Sequence, residues 1–228
     1  MKIDLIGSAE GCQKGCEELF FIWENWIKSN RPFGEVLISE EIISHKYLPA
    51  VIIISKTYEA YLKQIGCKSR NMIVKSQKNN YEAREISYNL FLEDIFEINN
   101  SKEFRQGKRM SAKYQKYPEE ARTLNCCDVH KIKYFGVLKE DKLVAWCNVN
   151  FMNEFAIINQ ILGHAEHLKF GIMNLLINFI IKDCIENYKQ VKCLNYLTLK
   201  ACLPGLRTFK KSVGFEEVKI EFLNNFKR

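Results

Sequence analysis

The chain has 228 residues, which is enough for one large domain or two small ones with a substantial buried core. Hydrophobic residues make up 47% of it, and no apolar run approaches the roughly 18 residues that a membrane-spanning helix needs. Residues 1–11 have neither the basic start nor the long apolar core of a signal peptide. We therefore expect a globular, cytoplasmic protein without a membrane span.

Positive charge is unevenly distributed along the chain, which has a formal net charge of +7 at pH 7. Residues 102–122 contain seven basic and three acidic side chains, namely Lys102, Arg105, Lys108, Arg109, Lys113, Lys116 and Arg122 against Glu103, Glu119 and Glu120. A local excess of this kind can face the phosphates of a cofactor, of a nucleotide-linked substrate or of RNA. A solvated helix face and loop is the alternative interpretation.

The nine cysteines form an odd set without a C-x-x-C pair, and most of them lie within apolar runs. This pattern is typical of reduced, buried thiols in a cytosolic protein. A metal site at Cys12 and Cys16 would lack further ligands at a useful spacing, so we expect no bound metal.

The first third of the chain alternates helix and strand patterns. In order, it predicts an amphipathic helix, two short strands, a second helix and a third strand, at residues 17–28, 35–39, 50–55, 56–65 and 71–76. Gly66 directly follows the second helix, in the position past a helix C-terminus where glycine is most common.

The remaining two thirds contain longer and more regular patterns. A helix begins after Ser87 and leads into the basic segment, where Gly107 and Pro118 indicate irregular backbone. Then follow three strands, a helix, a strand, a helix and a strand, at residues 133–138, 142–150, 154–162, 171–187, 191–199, 204–213 and 215–222. The first two of these strands flank the turn KEDK as a predicted hairpin, and the third is apolar on both faces, as in a central strand.

Three segments of this second part occur in a characteristic order. They are VLKEDKLVAWCNVNF at residues 137–151, ILGHAEHLKFGIMNLL at 161–176 and LRTFKKSVGFEEVKIEF at 206–222. Together with the order of elements between residues 71 and 226, they resemble the GCN5-related N-acetyltransferase (GNAT) family. The resemblance covers about two thirds of the chain.

The resemblance implies an α+β fold, an α/β/α sandwich around a mixed, mostly antiparallel sheet with one splayed strand pair. Residues 71–228 would form the acyltransferase domain, after a small α/β lobe at residues 1–70. Residues 61–76 parallel 209–222 in their aromatic, lysine and glycine positions, so the lobe is interpreted as a partial GNAT-like half, as in tandem, FemX-type proteins. A chance similarity between two helix–glycine–strand junctions is the alternative.

In this family, the loop between the strand and the helix of the second segment binds the pyrophosphate of coenzyme A, since free amides at a helix N-terminus attract anions. The resemblance implies acetyl-CoA or another acyl-CoA as co-substrate, bound by Gln160, Ile161, Leu162, Gly163, Lys169, Phe170, Gly171, Ile172 and Met173. Gly171 matches the family's middle glycine. Leu168 replaces an expected Arg or Gln and Met173 a small residue, while Lys169 could supply positive charge.

The third segment resembles the family's closing helix, which ends in an aromatic residue and a glycine–phenylalanine step before the last strand. Phe209, Gly214 and Phe215 match this pattern, and Gly214 is expected to be left-handed at the helix exit. The tyrosine that commonly protonates the departing thiolate would fall at position 210. The resemblance therefore implies Lys210 as a catalytic candidate.

Acyl transfer to an amine also needs a base for the amine and hydrogen-bond donors for the oxyanion. Glu154, at the start of the predicted central strand, and His164, at its end, are candidate bases. The ordinary alternatives are a solvated acid and a loop histidine. His164 and His167 form an H-x-x-H pair without a third ligand nearby, which argues against a metal site.

Acceptor-binding candidates lie in the basic segment. Arg105 and Arg109 are four residues apart, so on a helix they would share a face and could bind a carboxylate or a phosphate. Tyr114 could stack or form a hydrogen bond. These residues suggest a small, anionic acceptor that carries a primary amine.

The leading hypothesis is a bacterial GNAT-type acyltransferase that moves an acetyl or other acyl group from coenzyme A to such an amine. One alternative is a FemX-type transferase that depends on aminoacyl-tRNA or on an acyl carrier, favoured by the altered pyrophosphate loop and the basic segment. Another is a GNAT fold without catalysis that serves as a binding module, favoured by Leu168, Met173 and Lys210.

Overall fold

The structure, a computed structural model, describes residues 1–4, 36–38, 41–43, 48–105, 108–121, 127, 129–200 and 202–223. The helix predicted for residues 17–28 lies outside them, as do Gly107 and Arg122 of the basic segment. Among the described helices, none has the length and apolar character required to cross a membrane.

A seven-stranded sheet forms the centre of the described chain. The strands are β1 (Lys2–Asp4), β2 (Val36–Ile38), β3 (Glu41–Ile43), β4 (Pro49–Ile53), β5 (Glu82–Glu85), β6 (Phe104–Arg105), β7 (Lys108–Arg109), β8 (His130–Lys139), β9 (Lys142–Met152), β10 (Phe155–Gly163), β11 (Cys193–Thr198), β12 (Glu216–Glu217) and β13 (Glu221–Leu223). The sheet order is β12-β4-β11-β10-β9-β8-β5, and within it only β10 and β11 pair in parallel.

The α-helices in the described part of the chain flank this sheet. They are α1 (Tyr58–Gln64), α2 (Cys67–Lys78), α3 (Leu92–Asn100), α4 (Ile172–Asn187) and α5 (Pro204–Ser212). Short 3₁₀ helices at Tyr88–Phe91, Ala112–Gln115 and Leu168–Phe170 precede α3, follow β7 and lead into α4.

Alternating residues of β9 show how the layers are arranged, since successive side chains of a strand point to opposite faces. Ala145 and Cys147 belong to the buried cluster that contains Leu176 of α4. Trp146, between them, belongs to the cluster that contains Ile95 of α3. Helices therefore cover both faces of the sheet, and the predicted α+β sandwich with a mostly antiparallel sheet is confirmed.

The hairpin predicted around the turn KEDK is also confirmed. β8 and β9 pair from His130 opposite Met152 to Lys139 opposite Lys142. The turn residues Glu140 and Asp141 have φ values of 52° and 64°. Two consecutive positive φ values define a type I′ turn, whose twist matches that of the flanking strands.

The strand predicted at residues 71–76 is wrong, because these residues belong to α2. Ser69, Ile73 and Ser76 are buried at helical spacing, whereas Val74 is 46% exposed. A short apolar run is compatible with either a strand or a helix, and packing against α4 stabilises the helix here.

Gly66, which follows α1, also differs in conformation from Gly214, its predicted counterpart after α5. Gly66 is extended, with φ −62°, and caps the N-terminus of α2, whereas Gly214 is left-handed, with φ 102°. The first copy of the proposed repeat is therefore a helix–glycine–helix junction. The proposed repeat depended on two helix–glycine–strand junctions, and the strand predicted for the first of them is a helix.

Strand β4 lies between β11 and β12 and pairs antiparallel with both. Residues on both sides of position 70 thus contribute to one sheet, while the division into residues 1–70 and 71–228 stays a prediction. The single closing strand predicted for residues 215–222 is divided: β12 pairs with β4, and β13 pairs with β1 in a separate two-stranded sheet.

Candidate active site

The two parallel strands in the middle of the sheet separate part-way along their length. β10 and β11 pair only at Phe155–Ile157 with Cys193–Asn195. β10 then continues to Gly163 against β9. Within the described chain, the edge of β10 beyond Ile157 has no strand partner on the β11 side. We call this opening the fork; it is the predicted splayed pair.

A bend in β11 accompanies the fork, and Lys210 of α5 contacts it. Leu197 has φ 52°, and the pairing of β11 with β4 shifts register between Asn195 and Thr198. The Lys210 Nζ donates hydrogen bonds to the carbonyl oxygens of Tyr196, at 2.6 Å, and Thr198, at 3.0 Å. The Lys210 side chain is fully buried, and this burial lowers its pKa. The predicted catalytic lysine therefore lies at the fork, bonded to the bent strand.

A loop and a short 3₁₀ helix connect β10 to α4. Gly171 follows this 3₁₀ helix with φ 83°, and α4 begins at the next residue. The amides of Ile172, Met173 and Asn174 form the first turn of α4 and have no backbone acceptor within the described chain. Unpaired amides at a helix N-terminus favour an anionic group.

Gly171 is closely covered by α2. A Cβ atom at Gly171 would lie 2.5 Å from the carbonyl oxygen of Met72 and 2.9 Å from its Cβ atom. The need for glycine at this position thus has two local causes, the left-handed φ and the approach of α2. Neither requires a ligand.

Two apolar side chains lie over the end of β10, where the family's pyrophosphate loop begins. A Cβ atom at Gly163 would lie 2.6 Å from the Met173 Sδ and 3.1 Å from Cδ2 of Leu168. The α4 amides and the exposed Lys169 fit a phosphate group of acyl-CoA, whereas Leu168 and Met173 narrow the space beside it.

Three lysines and two aromatic rings surround the same loop. Lys75 and Lys169 hold their ammonium groups 5.7 and 5.2 Å from the ring centroid of Phe170. Lys139 lies 5.4 Å from the ring centroid of Tyr81, which contacts Phe170. The Lys75 Nζ also donates to the carbonyl oxygen of Lys169, at 3.0 Å. The loop therefore has a positively charged environment that includes α2, which sequence patterns did not place here.

The two histidines of the H-x-x-H pair lie in this loop, with ring centroids 5.2 Å apart. The His167 Nδ1 and the Tyr81 hydroxyl share a hydrogen bond of 2.7 Å. The pKa of His167 is lowered, chiefly by burial and to a smaller extent by the nearby His164. His164 is separated from Ile157 by seven residues of extended chain, about 20 Å. No set of three or more possible metal ligands occurs among the residues that the structure describes.

Glu154 lies at the end of β10 opposite to the fork. Its Oε2 accepts a hydrogen bond from the Asp4 amide, at 2.8 Å, and its Oε1 lies 2.6 Å from the Lys192 Nζ. The structure therefore does not bring Glu154 together with Lys210. Its contacts are those of a structural carboxylate that connects β1 to the start of β11.

Replacing Glu154 by glutamine is expected to lower the free energy of unfolding by about 0.5–1 kcal/mol, because a partly exposed ion pair is lost while the Asp4 amide keeps an acceptor. Urea unfolding of the single variants Glu154→Gln and Lys192→Met and of the double variant measures the coupling energy. Full stability with a loss of acyl transfer in Glu154→Gln would restore Glu154 as a base.

The two candidate arginines of the acceptor site do not share a helix face, because they lie on the two-residue strands β6 and β7. Arg105 donates to the carbonyl oxygens of Gly163, at 2.9 Å, and Ile98, at 2.7 Å, and its partial burial lowers its pKa. Arg109 is exposed and pairs with Glu103 at 3.0 Å. Arg105 thus connects α3 to the end of β10, and a substrate contact by either residue stays a prediction.

Tyr114 contacts a side chain of β10 beyond the fork. Its hydroxyl is 3.4 Å from the side-chain Nε2 of Gln160. The backbone amide of Gln160 donates a hydrogen bond to the Asn148 Oδ1 at 3.0 Å. Of the three acceptor candidates, Arg105 and Tyr114 therefore contact β10 beyond the fork, Arg105 at its last residue and Tyr114 at a side chain further back along the strand. The Gln160 amide is engaged within the protein, so it is not a free oxyanion donor.

The chain matches no protein-family model and no curated protein. Its structure is similar to the crystal structure of FemX, with a TM-score of 0.54 and 10% identity over 78% of this chain and 61% of that one. The chain has the GNAT fold. Other similar structures are L-PGS from Bacillus licheniformis (TM-score 0.46, 14% identity, 72% and 55% of the chains) and a GCN5-related N-acetyltransferase-like protein from Streptococcus suis (0.42, 11%, 75% and 58%). This chain spans 55–61% of the length of these three.

Proposed function

We propose that this GNAT-fold chain is an acyltransferase that moves an acyl group from coenzyme A to the primary amine of a small acceptor. The fork is the observation that carries the proposal. An unpaired strand edge offers backbone hydrogen bonds to an extended ligand, which is how a strand recognises a peptide-like chain. The pantetheine of acyl-CoA contains two amides and can bind in this way.

In the proposed complex, the thioester supplies an activated acyl group, and the chain supplies its binding site. The edge of β10 from Asn159 to Gly163 holds the pantetheine, and the first amides of α4 together with Lys169 hold the phosphates. Tyr114 borders the acceptor side. These assignments keep the sequence-based donor site and add α2, whose Lys75 lies beside Lys169.

Proton transfer follows from the position of Lys210. Burial lowers its pKa and therefore makes its ammonium group a stronger acid than that of an exposed lysine. We assign to it the proton that the departing thiolate takes up, while the acceptor amine attacks in its neutral form and releases its surplus proton to solvent. His164 is about 20 Å along the strand from Ile157. The proposed reaction therefore does not use His164 as the base.

Calorimetric titration with acetyl-CoA tests the proposal. We expect saturable binding, and we expect Lys169→Glu to weaken it by about tenfold, because a charge that attracts phosphate is reversed. Lys189→Glu is the matched control, since it makes the same charge change in an exposed residue just past the opposite end of α4. Absence of binding and of thermal stabilisation by millimolar acetyl-CoA would contradict the proposal.

A second candidate function is transfer from an aminoacyl-tRNA. It is favoured by α2, which contains Lys68, Arg70, Lys75 and Lys78 and no acidic residue, and by Leu168 and Met173 over Gly163. An RNA-dependent enzyme should bind tRNA with an affinity that falls steeply as salt rises. Salt-insensitive or absent binding of tRNA in a filter assay would remove this candidate.

A further inference from the structure

Two buried side-chain oxygens flank the point at which the fork opens. Asn150 on β9 is 4% exposed and Asn195 on β11 is fully buried, yet the Oδ1 atom of each has no hydrogen-bond partner within the described chain. A buried acceptor without a donor destabilises a folded protein, and such groups are rare. Their occurrence on both sides of one position therefore suggests that a donor from a ligand belongs there.

The strand register places both asparagines in one row. Asn150 is opposite Ile157 across the β9–β10 pair, and Ile157 is opposite Asn195 across the β10–β11 pair. Residues in register on neighbouring strands point to the same face, so the three side chains share a face. The Cα atoms of the two asparagines are two strand spacings, or about 10 Å, apart. One polar atom above Ile157 can reach both oxygens if the side chains lean towards each other.

The orientation of the Asn195 amide follows from its other contacts. Its Nδ2 donates to the carbonyl oxygens of Ala50 on β4, at 2.9 Å, and of Leu197, at 3.2 Å. Both partners are acceptors, so the amide group presents its nitrogen to them and not its oxygen. Because the carboxamide is planar, the Oδ1 atom points away from β4. β10 is the neighbour of β11 on the side away from β4, and at this level the two strands separate.

These oxygens can only accept hydrogen bonds, and this selects a ligand that donates them. A primary amine presents at least two N–H groups from one atom, whereas a carboxylate or phosphate presents none. The oxygens are also neutral, so they favour the protonated form of the amine less strongly than a carboxylate would. Tyr114 contacts the side chain of Gln160, which lies on β10 beyond this row.

We propose that Asn150 and Asn195 bind the acceptor's primary amine at the opening of the fork. This inference rests on the proposed acyl transfer and names the residues that hold the attacking nitrogen. It adds two neutral side chains to the site, neither of which is marked by a sequence motif. The acceptor is then recognised through its amine. This recognition does not depend on acidic groups elsewhere on the acceptor.

Ethanolamine is a suitable probe, and choline, which has the same skeleton but no N–H group, is its matched control. In the absence of any acyl donor, we expect ethanolamine to shift the side-chain amide NMR signals of Asn150 and Asn195, and choline to leave them unchanged. Asn150→Leu should weaken ethanolamine binding by about tenfold, the loss expected for one hydrogen bond. It should not destabilise the fold, since it removes an oxygen without a partner.

Asn99→Leu is the matched variant, because Asn99 is also buried and its Oδ1 also lacks a partner within the described chain, but it lies on α3 outside the row. It should leave ethanolamine binding unchanged. The inference is overturned if ethanolamine causes no shifts at millimolar concentration, if choline causes the same shifts, or if Asn150→Leu binds as the wild type does. Since no donor is present, failure here and failure of the acetyl-CoA titration are distinguishable.

Discussion

Replacing Gly171 by alanine is expected to lower the free energy of unfolding by about 3 kcal/mol or more. A left-handed conformation costs an L-residue roughly 1–2 kcal/mol, and Gly171 has φ 83°. The added Cβ would in addition lie 2.5 Å from the Met72 carbonyl oxygen, a backbone atom of α2 that cannot rotate away. The loop and α2 must therefore move apart, which adds a packing cost of about 1–3 kcal/mol. Urea denaturation measures the sum.

Gly205→Ala is the matched control for this change. Gly205 lies in the first turn of α5, and a Cβ there would meet no atom within 4 Å. Alanine should stabilise this helical position by about 0.5–1 kcal/mol, since it reduces the entropy of the unfolded chain. A Gly171→Ala variant as stable as the wild type would show that α2 does not press on the loop.

The packing at Gly171 also changes how a loss of ligand binding in its variants must be interpreted. A bulky residue there displaces α2, and with it Lys75, before it touches any ligand. Loss of acetyl-CoA binding in such a variant would therefore follow from altered packing alone. Lys169→Glu avoids this ambiguity, because Lys169 is exposed.

Replacing Lys210 by methionine is expected to lower the free energy of unfolding by about 2–3 kcal/mol. The charged Nζ donates to two carbonyl oxygens, and hydrogen bonds to charged groups contribute about 1.5–3 kcal/mol each. Removal of a buried charge offsets part of this loss, because the desolvation cost disappears with it. Methionine preserves the length and most of the volume, so no large cavity is added. Lys211→Met, in an exposed neighbour, should change stability by less than about 0.5 kcal/mol.

The same variant should alter the pH dependence of stability. Burial lowers the pKa of Lys210, so on the alkaline side the unfolded chain binds this proton when the folded chain has already released it. Stability contributed by this group therefore rises with pH between the lowered pKa and the ordinary value of lysine. Below that window both states are protonated and the desolvation cost is present in full. Lys210→Met should remove this rise, which urea unfolding across the alkaline range measures as the difference between the two proteins.

A Lys210→Met protein with unchanged stability and an unchanged pH profile would contradict the burial of the charged group. Stability and catalysis can also be separated in this variant. If Lys210 protonates the departing thiolate, the rate of acyl transfer should fall by more than the unfolded fraction of the variant explains. Acetyl-CoA should still bind to the folded fraction. Loss of transfer in proportion to unfolding alone would leave Lys210 with a structural role at the bend of β11.

Local sequence patterns predicted the elements whose signals are long or chemically specific. The hairpin of β8 and β9 was predictable because two strand-like runs flank a short charged turn, and α4 because its apolar residues recur at helical spacing over four turns. Residues 71–76 were mispredicted because a run of six residues carries no decisive period. Burial of Ile73 against the remainder of the core resolves it as helix.

The candidate site was predictable only in part, for a different physical reason. Gly171 and Lys210 were found because they occupy the family's positions, but their contacts with α2 and β11 depend on segments distant in sequence. Arg105 and Arg109 were expected on one helix face and lie instead on two short strands. Spacing predicts a shared face only when the secondary structure is known.

The amino-acid sequence by itself thus determined the order of the elements from the first hairpin strand to α5 and the positions of the glycine and lysine at the site, since these depend on neighbouring residues. The tertiary structure alone decided where β4 enters the sheet, that Lys210 is buried, and that Asn150 and Asn195 share one row. Each of these depends on strand pairing between distant segments. A shift of register by one residue would turn every side chain of a strand to the other face, and no local pattern encodes it.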